Sequence, residues 1–245
     1  MGAQLRSRNV AAVVTVHRLD IEWIAMRAGV KPATRISIDP GHAGEVEVRA
    51  RREGFAAVRG PHVVEFPGRS PAVILYLARE EASARAVAEA EAPLLPPENA
   101  GLSLDEEVIL HTRLGESLGF PGCCVGAFGI RLRRGITSRL DGSYAHEDFV
   151  AAEAAARSSR TFLGRLNDLS ADRRMRIITF YPCCYDCPQA GAYAAAAFAA
   201  AVAVDGVAAA DLRAALLGEM HIGVDGTRGL DALAGENLAL EFVTF

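Results

Sequence analysis

The chain has 245 residues, about half of them apolar, with a formal net charge of −4. That length can bury a sizeable core in one large domain or two small ones, and the composition is globular, not disordered. The acidic balance excludes general nucleic-acid binding, where a basic excess supplies most of the affinity.

Residues 10–16 form a short apolar run that reads as a buried strand. Arg6 and Arg8 precede it, but His17-Arg18-Leu19-Asp20 ends it without a small-residue cleavage site, so no export signal is expected. Residues 17–28 place Leu19, Ile21, Trp23, Ile24 and Met26 at helical spacing, and Gly29 stops the helix. Alternation predicts strands over 34–38 and 46–50. Further short strands are expected at 63–66 and 72–77, separated by the turn Pro67-Gly68-Arg69-Ser70-Pro71. A charged, alanine-rich helix covers 79–92 and ends at Pro93. Pro96-Pro97-Glu98-Asn99-Ala100-Gly101 then reads as a linker.

After the linker the pattern becomes mainly helical. Ser103-Leu104-Asp105-Glu106 is a capping-box signature for a helix to about residue 118. Gly119-Phe120-Pro121-Gly122 breaks it, and Cys123-Cys124 opens another helix to about 133. A long helix is expected over 145–166 and a strand over 176–180. Cys187-Pro188 opens an alanine-rich helix to 204, followed by a helix over 208–220 and late strands at 222–224 and 238–245. The expected architecture is α+β. A smaller N-terminal β-rich lobe (1–95) is followed by a mainly helical C-terminal half (101–245) that carries a cysteine-lined site, with one continuous domain as the alternative to two. The longest apolar stretch, 190–204, is mostly alanine and too short to span a bilayer, so a cytoplasmic protein without a membrane partner is expected.

All five cysteines fall in two short clusters, Cys123-Cys124 and Cys183-Cys184-Tyr185-Asp186-Cys187. A chain using cysteine only as a small hydrophobe would scatter it through the core. Here the thiols stand beside proline and glycine, where the backbone turns and sulfurs can converge. In a reducing compartment such clusters favour metal binding or catalysis over structural disulfides. Cys184 and Cys187 have Cys-x-x-Cys spacing, and Cys183 and Cys187 would share a helix face. Helix starts at Cys123 and Cys187 favour the thiolate. The first reading is a [4Fe–4S] cluster; zinc, structural or catalytic, is the alternative, followed by a thiol-redox centre and then by plain buried cysteines.

The motif Gly119-Phe120-Pro121-Gly122-Cys123-Cys124-Val125, with Phe128, followed by Pro182-Cys183 and Cys187, resembles an uncharacterised archaeal and bacterial family, domain of unknown function 483. Its motifs cover about the middle third of the chain. The resemblance implies Cys123, Cys124, Cys183 and Cys187 as the metal ligands. Cys184 stands where that family has serine and ranks as a reserve ligand. No activity comes with the resemblance.

Several neighbours could serve the site. Asp186, between Cys184 and Cys187, is the first general-base candidate, although a helix-cap role explains it equally. His111 is the second proton carrier, and Glu116, His146, Glu147 and Asp148 are weaker candidates whose default is a solvated helix face. Arg131 and Arg134, with Arg133 and Arg139, could hold an anionic substrate. Tyr181 and Tyr185 flank the thiols and are expected to pack. Gly115-Glu116-Ser117-Leu118-Gly119 matches a nucleophile elbow by letter but ends a helix, so it is set aside. Residues 223–229 read as a tight turn. Lys31 is the only lysine, and its setting fits neither Schiff-base nor Walker-type chemistry. The leading functional expectation is therefore an iron–sulfur enzyme of lyase or transferase type acting on a small anionic molecule. The alternative is a zinc-stapled binding module without catalysis.

Overall fold

The computed structural model describes residues 20–65, 71–134, 177–184 and 187–217. By internal contacts the chain divides into two compact units, Gly29–Gly135 and, taken together, Met1–Ala28 with Ile136–Phe245. Helices and strands are numbered among the described residues.

The Gly29–Gly135 unit is built on a three-stranded antiparallel sheet in the order β1-β3-β2, formed by β1 (Ala33–Ile38), β2 (Ala56–Val64) and β3 (Ala72–Ala78). Ala78 pairs with Ala33 on one side and with Ala56 on the other, so β3 is the central strand. Its sequence, Ala-Val-Ile-Leu-Tyr-Leu-Ala, is apolar on both faces, and every residue from Val73 to Ala78 is buried. That continuous pattern suits a central strand covered on both sides. Ile74, Tyr76 and Ala78 share one face at a period of two and pack with Ala84 and Val87 of helix α3 (Glu81–Glu91). The same cluster takes in Leu118 and the partly buried Phe120, which tie the sheet to the turn that precedes Cys123. Glu91, buried at the end of α3, is compensated by Arg35 of β1, whose Nε donates to the carboxylate at 2.7 Å.

Residues 46–50, expected as a strand, lie instead in helix α2 (Ala43–Arg52). The alternation of Val46 and Val48 does not mark a buried face, since Val48 is exposed. The buried residues are Ala43 and Ala50, seven apart and thus two turns along one helix side. The Arg49–Glu53 pair at 3.0 Å adds an i,i+4 contact at its end. β2 is also longer than the pattern suggested. The run expected at 63–66 is the end of a longer strand, whose pairing with β3 shifts register between Arg59 and Val63. A bulge on an edge strand is where proline and glycine are tolerated.

Residues 96–101, read as a linker, hold the second of two short 3-10 turns, Ala92–Leu94 and Glu98–Gly101. They lead into α4 (Leu104–Ser117), which opens with the expected capping box: Ser103 Oγ accepts from the Glu106 N–H, and the Glu106 carboxylate accepts the Ser103 N–H at 2.9 Å. α5 (Gly122–Arg133) returns against α4.

In the other unit, α1 (Ile21–Arg27) is capped by Asp20, whose side chain accepts from the Trp23 N–H at 3.1 Å. α1 packs on α6 (Pro188–Val204) and buries Trp23, Ile24 and Met26. The inward residues of α6 (Ala190, Tyr193, Ala194, Ala197 and Ala201) follow helical periodicity, and all but Tyr193 are alanines. Thr179 Oγ1 donates to Glu22 at 2.8 Å, fixing the segment before the second cysteine cluster to α1. Residues 177–180 lie outside any strand, which corrects the expectation for 176–180: Ile177, Ile178 and Phe180 are buried by tertiary packing, with Phe180 edge-on to Tyr193. α7 (Gly206–Leu217) completes the described part. Among the described residues no helix is long and apolar enough to cross a membrane. The expected elements at 10–16, 145–166, 222–224 and 238–245 lie outside the described residues.

Candidate metal centre

Cys123 and Cys124 owe their position to the way α4 ends. Gly119 has φ +75°, its N–H bonds to the Glu116 carbonyl at 2.9 Å, and the Phe120 N–H bonds to the Gly115 carbonyl at 2.9 Å. These are the two bonds of a Schellman ending, which needs a left-handed residue and therefore favours glycine. A Cβ on Gly119 would also overlap Cδ of Pro32. Pro121 then starts the next helix, its carbonyl accepting from the N–H groups of Cys124 at 2.8 Å and Val125 at 3.0 Å. The two cysteines thus fall in the first turn of α5. Close packing of α4 on α5 holds that turn in place: a Cβ on Gly115 would lie 2.8 Å from Cγ2 of Val125.

Cys187 is the N-cap of α6. Its sulfur accepts the Ala190 N–H at 3.5 Å, its carbonyl accepts the Gly191 N–H at 2.9 Å, and Pro188 occupies the first helical position. The Cys187 N–H donates to the Cys184 carbonyl at 3.1 Å.

The sulfur atoms of Cys123, Cys124, Cys183 and Cys187 all lie within 4.8 Å of one another, and this group could hold a metal ion. The Cys123 and Cys124 sulfurs are 3.8 Å apart. Zinc–thiolate bonds of about 2.3 Å arranged as a tetrahedron place neighbouring sulfurs about 3.8 Å apart, so the scale suits one ion. Cys124 and Cys187 are buried, Cys183 is half-buried and Cys123 is exposed, and none of the five cysteines forms a disulfide. Cys123 and Cys124 thus lie in the first turn of α5, and Cys187 caps the first turn of α6. Cys184 is exposed, with its sulfur 3.8 Å from that of Cys183, and it falls outside the group of four.

The other candidate residues are placed differently. His111, midway along α4, stands edge-on to Phe128 with ring centroids 5.2 Å apart and is not one of the grouped ligands. Burial pushes its imidazole down to about 4. Glu107 lies 3.8 Å away and would pair only with a protonated ring. At that distance, with Glu107 itself part-exposed, desolvation wins and the ring is neutral near pH 7. Arg131 and Arg134 sit at the far end of α5, where cations complement the helix C-terminus. At 1.5 Å per residue Arg131 is about 10 Å along the helix from Cys124, and Arg134 is about 16 Å from Cys123. Arg133 pairs with Asp105 of α4. Asp186, with Tyr185, His146, Glu147, Asp148 and Arg139, lies outside the described residues.

The sequence reading did not foresee the burial of Lys31, which is 2% exposed with Nζ 5.5 Å from the centroid of the Phe120 ring. Its neighbours Val30 and Pro32 gave only a faint signal of an apolar setting. No family model, curated protein or solved structure matches the chain.

Proposed function

We propose that Cys123, Cys124, Cys183 and Cys187 hold a single zinc ion as thiolates, and that the ion serves as a structural cross-link in a binding module. The observation that carries this reading is the compactness of the sulfur group, all within 4.8 Å. Four thiolates on one ion fit that span. In a [4Fe–4S] cluster each thiolate binds a different iron, and the sulfurs stand on the order of 6 Å apart. Four protein donors also fill a tetrahedral site, whereas catalytic zinc keeps a position open for water or substrate. The burial of Cys124 and Cys187 agrees with a closed site. The resemblance to domain of unknown function 483 selects the same four cysteines and forms part of this proposal.

The physical consequence is a coupling of metal to folding. An ion shared by Cys124 and Cys183 closes a loop of roughly sixty residues, and the chain-entropy model assigns such a closure about 4 kcal/mol. The enzyme reading, an open cluster iron acting on a small anion, would want arginines beside the sulfurs. Arg131 and Arg134 instead occupy the opposite end of α5.

Metal analysis of single variants tests the ligand set. Cys124→Ala and Cys187→Ala are expected to lose most of the bound zinc, and Cys184→Ala to keep it. A full complement of zinc in Cys187→Ala would overturn the proposed site.

A further inference from the structure

We propose that Cys184 makes the metal centre peroxide-sensitive: a peroxide oxidises this exposed thiol, Cys183 resolves it into a Cys183–Cys184 disulfide, and the ion is released. The inference rests on the metal reading above. Of the five cysteines, Cys184 is the one whose sulfur falls outside the group of four. It is exposed, forms no disulfide, and its sulfur lies 3.8 Å from that of Cys183, which belongs to the group. The other adjacent pair, Cys123 and Cys124, has the same 3.8 Å spacing, but both of its sulfurs are within the group. Only at 183–184, then, does a thiol with no metal to hold stand beside a ligand.

Accessible thiols with a second thiol in reach are the ones that peroxides convert to disulfides. In the first step the Cys184 sulfur attacks one oxygen of hydrogen peroxide and the O–O bond breaks, giving a sulfenic acid and water. In the second, the Cys183 thiolate attacks the Cys184 sulfur with the electron pair it had given to the ion. The S–O bond breaks, and the departing hydroxide takes a proton from solvent to become water. The two sulfurs together lose two electrons, and the peroxide is reduced to two waters.

Thiolates bind zinc and disulfide sulfurs do not, so the reaction leaves three ligands where a structural site has four. Residues joined by a trans peptide have Cα atoms about 3.8 Å apart, below the usual disulfide span of about 4.4–6.8 Å, so this bridge is strained and a dithiol reductant reverses it. Among the ligands Cys124 and Cys187 are buried and Cys183 is half-buried, which shields them from an oxidant. Cys123 is exposed, so direct attack on that ligand is the competing route, and it would not need Cys184.

The test is zinc release from the full zinc-loaded chain under hydrogen peroxide, read with a chromogenic zinc chelator, in wild type and in Cys184→Ser. Wild type is expected to release its zinc, to show a Cys183–Cys184 disulfide by peptide mass mapping, and to reload zinc after dithiothreitol. Cys184→Ser is expected to keep its zinc over the time in which wild type loses it. Release from Cys184→Ser at the wild-type rate, a wild type that resists peroxide, or a bridge from either residue to another cysteine would overturn the inference and leave the four-thiolate site standing. A wild type that binds no zinc before oxidation, or a Cys184→Ser that no longer binds it, removes the metal reading itself and this inference with it.

Discussion

Alanine at three glycines separates the forces that place the first cysteine pair. Gly126 lies inside α5 with open space around its would-be Cβ, so Gly126→Ala gains helix propensity of about 1 kcal/mol with nothing against it. Gly54 has φ +78° and also faces open space, so Gly54→Ala loses only the cost of a left-handed residue, about 1–2 kcal/mol. Gly119 has nearly the same φ, +75°, but its Cβ would overlap the Pro32 ring, and that ring has no rotamer by which to move aside. Overpacking of this kind adds about 1–3 kcal/mol, which puts Gly119→Ala at about 2–5 kcal/mol in total. Urea unfolding at fixed zinc, followed by far-ultraviolet circular dichroism, reads the series directly. With a slope of about 2 kcal/mol per molar the midpoint of Gly119→Ala drops by roughly 1–2.5 M, that of Gly54→Ala drops by less than 1 M, and that of Gly126→Ala rises. A Gly119→Ala midpoint no lower than that of Gly54→Ala would refute the claim that the Pro32 contact locks the turn before Cys123.

Burial holds the His111 imidazole down to about 4, so an unfolded chain takes up the proton first as pH falls through 6.5. Stability contributed by the neutral ring is complete above that pH and is lost towards pH 4, by about 3 kcal/mol. In metal-free protein, where zinc release does not contribute, His111→Leu should flatten this dependence relative to wild type; an identical pH profile would contradict the burial argument. Ser103→Ala removes the cap of α4 and should lower stability by about 1 kcal/mol in the same urea assay, with metal content unchanged. No loss would mean that the end of α4 is held by packing and not by its cap.

The parts of the fold that could be read in the sequence are those whose signal is local. The Ser103–Glu106 box, the glycine at 119 and the Cys187-Pro188 start each specify a backbone state within a few residues, and each corresponds to a helix end in the structure. Residues 46–50 misled because a short stretch with apolar residues at every second position also contains an i,i+7 pair, and only tertiary packing of Ala43 and Ala50 selects the helix. The full length of β2 was not legible because its register shift between Arg59 and Val63 is set by β3 lying alongside. At the candidate site, clustering and helix starts were legible because cysteines and prolines are explicit in the chain. The compactness of the sulfur group, the burial of Lys31 and the distance of Arg131 and Arg134 along α5 are properties of three-dimensional packing, and no local pattern encodes them.

The central claim is one ion on four thiolates, and metal and sulfide analysis of protein purified without air tests it most directly. The account predicts one zinc per chain, no acid-labile sulfide and no visible absorbance band. Comparable iron and sulfide, with a broad band near the blue edge of the visible, would contradict it and establish a cluster instead.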